Sequence, residues 1–139
     1  MITDPGKALA DLAMKLAISI APQTTSMYAA ADAGLTAMLM QCLAQDYGRA
    51  AENRAVDIEE IKELFRSVND AGQHGDLASF IEGQPESLSL ADLESFHAQG
   101  LNRLITLHNW AEASGTAELN DRIWAFLARY ADRHAFELD

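Results

Sequence analysis

Three observations predict an all-α fold. Ala (25 residues) and Leu (17) dominate the 139-residue chain while Val occurs only at Val56 and Val68, so helix formers abound and β-branched strand formers are scarce. Apolar residues recur three and four apart along most of the chain. No alternating apolar-polar run with hairpin punctuation breaks that pattern. At 49% hydrophobic residues, a chain of this length can bury a core without a disulfide or a metal. The expectation is one domain over residues 1–139, a compact bundle of about six helices.

The first helix is placed from about Lys7 to Ile20, after Asp4-Pro5 and before Pro22, with Leu9, Leu12, Leu16 and Ile20 on its core face. The second begins near Thr24 or Thr25 and carries Tyr28, Ala31, Leu35, Leu39, Cys42 and Asp46 on one stripe. On that stripe Cys42 reads as a small buried hydrophobe, and the small residues Ala29 to Gly34 allow a close helix crossing. A helix running on unbroken to Asn69 would be far longer than a domain of this size at 1.5 Å per residue. A break is therefore expected, at Gly48 or before Asp57, where Asp57 and Glu60 have capping-box spacing and open a third helix bearing Ile58, Ile61, Phe65 and Val68.

A Gly-rich loop from Asn69 to Gly75 follows, containing His74, then a short helix from Leu77 to Ile81 ended by Gly83-Gln84-Pro85. Ser89, with Asp92 three residues on, starts a fifth helix from Leu90 to about Ala113. Gly115 stops it and Thr116 caps the sixth, which runs from Ala117 to about Phe136 on the stripe Leu119, Ile123, Leu127, Tyr130, His134. The last two helices should form an antiparallel hairpin. An echo at a spacing near 65, in which Asp11-Leu12-Ala13 returns as Asp76-Leu77-Ala78, raises a duplication of residues 7–70 in 76–136, giving two stacked three-helix units.

The net charge of −11 repels phosphate backbones and anionic lipid, so neither nucleic acid nor a membrane surface is an expected partner. No Lys or Arg lies between Arg66 and Arg103, whereas Asp70, Asp76, Glu82, Glu86, Asp92 and Glu94 do. A basic protein could dock on that stretch, though a solvated face explains it equally simply. A lone Cys excludes an internal disulfide framework and favours a reducing, cytoplasmic setting. Asp4, Asp11 and Lys15 argue against a secretory signal at the start.

The fifth helix is the most informative segment. One side carries Leu90, Leu93, Leu101, Leu104 and Ala111 with His97 and His108 among them; a second strip, Phe96, Gly100, Leu107 and Trp110, widens the apolar arc beyond what a peripheral helix needs. Such a helix is either central in the fold or also a subunit contact, and self-association through Phe96, Leu107 and Trp110 in a symmetric homodimer is expected. In an antiparallel hairpin, His97 faces His134 and Glu94 faces Glu137. Glu94-x-x-His97 and His134-x-x-Glu137 would then supply two imidazoles and two carboxylates, a donor set suited to Zn or Fe. The more economical reading makes both histidines core residues, hydrogen-bonded to each other, to Glu94 or to backbone, with no cofactor. His108 and Glu112, four apart, read as a local pair.

No phosphate loop, zinc-type Cys or His spacing or nucleophile elbow is present, so no catalytic residue is assigned and enzymatic activity is not expected. The leading expectation is a homo-oligomeric protein-interaction or regulatory module. The alternatives are the metal-binding bundle and a small apolar-ligand binder lined by Met38, Phe96, Trp110, Trp124 and Tyr130.

Overall fold

The computed structural model describes residues 4–68 and 77–137. Of these, 86% are helical and none is in a strand, as the Ala- and Leu-rich composition requires. Five α-helices are present among the described residues where six were expected: α1 (Pro5–Lys15), α2 (Met27–Arg66), α3 (Leu77–Glu82), α4 (Leu90–Ser114) and α5 (Ala117–His134). A π-helical turn, Leu16–Ile20, and a 3-10 turn, Ala21–Gln23, prolong α1. The loop containing His74 lies outside the described residues.

The count falls by one because α2 does not break. Its 40 residues make a helix about 60 Å long, with Gly48 in its interior and Asp57 in its body rather than at a cap. A single domain could not bury such a rod. The constraint disappears because the chain divides into two compact units, Met1–Ala50 with Phe136–Asp139, and Ala51–Ala135. Each takes one half of α2.

In unit 1, Asp4 caps α1 by accepting from the Lys7 amide at 2.9 Å, and Pro5 occupies the first turn, where its missing N–H costs nothing. Gly6 sits so close to α2 that an added Cβ would lie 3.3 Å from the Ala44 carbonyl oxygen. The Gln45 side chain donates to the Glu137 carbonyl (2.8 Å) and accepts from its amide (3.0 Å), tying the C-terminal segment to α2. Small residues dominate the buried set, Gly6, Ala13, Ala37 and Ala50. Both apolar stripes expected here as core are partly or wholly outward: Leu12 and Ile20 are exposed while Leu9 and Leu16 are half-buried, and Tyr28, Leu35 and Leu39 are exposed. The reason is that α2 turns its Ala-rich side, Ala33, Ala37 and Ala44, inward and leaves its bulkier side uncovered.

Unit 2 holds the large side chains. Ile58, Ile61 and Phe65 of α2 pack with Leu77 and Phe80 of α3, Leu93, Phe96, Leu104 and Leu107 of α4, and Leu119, Ile123 and Phe126 of α5. The Phe80 ring stacks on Phe96 (centroids 4.5 Å apart) and meets Phe65 edge-on. Ser89 caps α4 by accepting from the Asp92 amide at 3.2 Å. The Asp92 carboxylate in turn accepts from the Ser87 and Ser89 hydroxyls, which hold its pKa below the usual value. Gly115 ends α4 in the left-handed conformation (φ 69°), where L side chains are strained. Thr116, by contrast, makes no side-chain cap on α5; its hydroxyl pairs with Ser114. Along the two helices His108 meets Asn120 and Trp124 while His97 meets Tyr130, so α4 and α5 run in opposite directions. Among the described residues no helix is long and apolar enough to cross a membrane.

The wide apolar arc of α4 is resolved by this packing: Leu93, Leu104 and Ala111 of one strip and Phe96, Gly100 and Leu107 of the other are buried, while Leu90 and Trp110 are exposed. Phe96 and Leu107, expected at a subunit contact, are core residues, and only Trp110 of that trio is exposed (39%).

Candidate functional site

Asp57 is completely buried in unit 2, where an unpaired carboxylate would cost several kcal/mol. Its neighbours offset that cost. Arg133 of α5 donates one guanidinium nitrogen to Asp57 Oδ1 and another to Glu60 Oε1 at 2.7 Å. His134 Nε2 lies 2.7 Å from Asp57 Oδ2, and His97 Nε2 from α4 lies 3.2 Å from the same oxygen. Arg129 adds a second guanidinium at 3.4 Å from Glu60, and Asn53 donates to the Arg133 carbonyl at 3.3 Å. Tyr130 lies between the histidines, its ring centroid 4.4 Å from His134 and 6.0 Å from His97.

Arg54 Nη1 is 3.4 Å from His134 Nδ1, the ring nitrogen not turned to Asp57. Both His134 nitrogens are thereby engaged. Burial alone pushes the Asp57 carboxyl up; the polar contacts from His97, His134 and Arg133 together outweigh it and hold the pKa below its ordinary 3.8. The result is an ionised carboxylate, cross-linking α2, α4 and α5.

The four residues considered for a metal are distributed differently from the hairpin expectation. His97 and His134 do converge, but on Asp57 rather than on the two glutamates. Glu94 is on the rim, 61% exposed and 3.9 Å from Arg54. Glu137 is off the helix altogether: α5 ends at His134, Ala135 turns extended, and Glu137 belongs to unit 1, its backbone paired with Gln45. Among the described residues no group of three or more His, Cys, Asp and Glu has a geometry that could hold a metal ion. The physical reason at Asp57 is plain, since both of its oxygens take protein donors and two guanidiniums, Arg54 and Arg133, already supply positive charge there.

Asp57, Glu60 and Arg133 were not singled out as a network by their sequence pattern, although a signal was present. Asp57 lies four residues before Ile61 on the core stripe of α2, and Asp57 with Glu60, three apart, and Arg129 with Arg133, four apart, each place two like charges one turn apart, opposite in sign between the two facing helices. Lys62, which reads as part of an exposed charged face, is 1% exposed: its Nζ donates to the Gly83 carbonyl at 3.0 Å, lies 3.4 Å from Glu59 and sits over the Phe96 ring. That places a cation at the C-terminal end of α3, where the helix dipole favours it. His108 pairs locally as its spacing suggests, with Nε2 3.6 Å from Glu112 and 3.1 Å from Asn120.

Of the five residues considered for an apolar ligand, four are in unit 2. Met38 is in unit 1, Phe96 is in the core of unit 2, and Trp124 is 55% exposed against His108. A groove of about 290 Å³ in unit 2 runs along Leu101, Leu104, Ile105 and Leu127 between α4 and α5. A wider one of about 510 Å³ in unit 1 is lined by Met14, Ile18, Ala37, Met38 and Gln41. Ile18 lines that groove, and elsewhere in unit 1 Met27, Tyr28, Leu35, Leu39 and Leu43 are, like Ile18, each more than half exposed. The two features that single this molecule out are therefore a buried ion network in one unit, in which His97 Nε2 and Arg54 Nε make no hydrogen bond, and exposed apolar side chains on the other. Comparison with family models, curated proteins and solved structures finds nothing that matches the chain.

Proposed function

We propose that this chain is a protein-interaction module in which unit 2 is the folded, charged body and unit 1 presents the contact surface. The supporting observation is the uncovered apolar side of α1 and the first half of α2. Large apolar side chains gain roughly 1.5–3 kcal/mol each on full burial, and monomeric proteins rarely leave contiguous patches beyond a few hundred Å². The ion network around Asp57 fits the role of a scaffold, since it holds three helices together. A cytosolic setting is part of the same reading.

Light scattering of the full chain across a concentration series, together with its recovery from the native cell, tests the proposal. The expected result is association, with itself or with a stoichiometric protein partner. A monomer at every concentration with no co-purifying partner would overturn it.

A further inference from the structure

Unit 1 holds an extended segment of its own chain by the backbone. Beyond α5 the chain turns extended at Ala135, and Phe136 and Glu137 lie in no helix or turn. Both belong to unit 1, together with Gln45 and Arg49 of α2. Gln45 pairs with Glu137 as a neighbouring strand would: its Nε2 donates to the Glu137 carbonyl at 2.8 Å and its Oε1 accepts from the Glu137 amide at 3.0 Å. Both contacts are to main chain, the means by which proteins hold extended peptides of varied sequence. One turn on, the Arg49 guanidinium lies over the Phe136 ring, 5.6 Å from its centroid, a contact that favours an aromatic side chain. The docking is light. Phe136 is 45% exposed and Glu137 is exposed as well, and hydrogen bonds open to water add little net free energy against the ordering of the backbone. Gln45 and Arg49, by contrast, are half-buried on the body of a helix, so the receiving groups are fixed in advance.

We propose that Gln45 and Arg49 form a docking site for an extended segment of a partner protein, one with an aromatic residue immediately before the residue that Gln45 pairs, and that Phe136–Glu137 is its displaceable occupant. The inference rests on the interaction-module reading and names the partner's chemistry. A peptide is favoured over a small apolar ligand because the Gln45 amide offers one donor and one acceptor at the spacing of a residue's C=O and N–H, groups an apolar molecule lacks. Neither contact uses the Glu137 side chain, so the partner's residue at that position is unrestricted while the one before it is aromatic. Gln45 and Glu137 also stand in the wall of the unit 1 groove with Met14, Ile18 and Met38. These three side chains are exposed, so a segment paired with Gln45 has apolar surface beside it that Phe136 and Glu137 leave uncovered. The chain's own segment competes in cis, where covalent attachment gives it an effective concentration on the order of millimolar.

The probe is the acetylated, amidated peptide Ala-Phe-Glu-Leu-Asp, the sequence of residues 135–139. It is titrated into the full chain while the backbone amide signals of residues 45–49 are followed by nuclear magnetic resonance. Phe136→Ala weakens the competitor in cis and leaves the receiving groups intact, so it is expected to tighten peptide binding at least ~3-fold relative to wild type. A peptide with Ala in place of Phe should bind that variant at least ~3-fold more weakly. In the same background Gln45→Met, which keeps the side chain's length and helix propensity but has no amide, should weaken binding at least ~10-fold. Helical circular dichroism checks that each variant is folded. A Phe136→Ala chain that gives no response at about 5 mM peptide, above the millimolar range of so small a contact, would overturn the docking site. So would equal binding before and after Gln45→Met, or equal binding by wild type and Phe136→Ala. A co-purifying partner that Gln45→Met retains in full would refute this site and leave the interaction module standing; a monomer with neither partner nor peptide response would remove both.

Discussion

Asp57 illustrates what a single buried residue demands of its surroundings. Three side chains from α5, Arg129, Arg133 and His134, and one from α4, His97, are committed to it or to the neighbouring Glu60. Replacing it with Asn removes the buried carboxylate that Arg133 shares with the two histidines and leaves Arg133 with Glu60 alone, and breaking a buried pair in this way costs about 3 kcal/mol. Urea unfolding of Asp57→Asn should show a midpoint loss of that order, and an unchanged midpoint would mean the network contributes no stability. The acid limb has a definite sign. Because the folded-state pKa lies below the ordinary value of 3.8, the carboxylate's contribution is fully present above that value and is lost as pH falls through the folded pKa. Wild-type stability should therefore decline below about pH 4, and the Asn variant should lack that component of the decline.

At the scale of elements, close approaches decide which substitutions the helices tolerate. An added Cβ at Gly100 of α4 would stand 2.5 Å from Phe80 Cζ, so α3 and α4 touch there because nothing larger than hydrogen is present. Gly100→Ala should destabilise unit 2 by about 1–3 kcal/mol through overpacking of the Phe80–Phe96 stack. Gly48, inside the unbroken α2, has nothing within 4 Å of an added Cβ; Gly48→Ala should stabilise by about 0.5–1 kcal/mol through helix propensity. Opposite shifts in thermal midpoint check both, and a destabilised Gly48→Ala would contradict a continuous helix. The termini of α4 and the span of α3 were legible in advance because Ser89, Gly115 and Gly83 are local signals. The continuity of α2 was not legible, since Gly48 and the Asp57/Glu60 pair look like boundary signals until burial shows what Asp57 is used for.

For the whole molecule, the important fact is that one helix belongs to two units of unlike composition. Residues 51–66 of α2 lie in a core of large side chains, whereas residues 27–50 are flanked mainly by small ones. Amide protection reports on local opening. Hydrogen exchange should therefore show strong protection over residues 51–66. Residues 27–50, flanked mainly by small side chains, should exchange faster. Equal protection in both halves would show that large buried neighbours are not what keeps α2 closed.

By itself the sequence determined the helical class, the limits of α4 and the short α3, the apolar stripes, and the pairing of α4 with α5 around Gly115, because composition, periodicity and capping act within a few residues. It also marked His97 and His134 as inward. What covers each stripe was decided only by tertiary structure, since periodicity identifies a face without identifying its neighbour. Packing placed most of the broad arc of α4 inside unit 2, left Glu94 exposed on the rim and set Asp57 against His97 and His134, with a charge balance that depends on residues far apart in the chain. The same packing left Tyr28, Leu35 and Leu39 uncovered, because α2 offers its partner in unit 1 the side with the smaller residues.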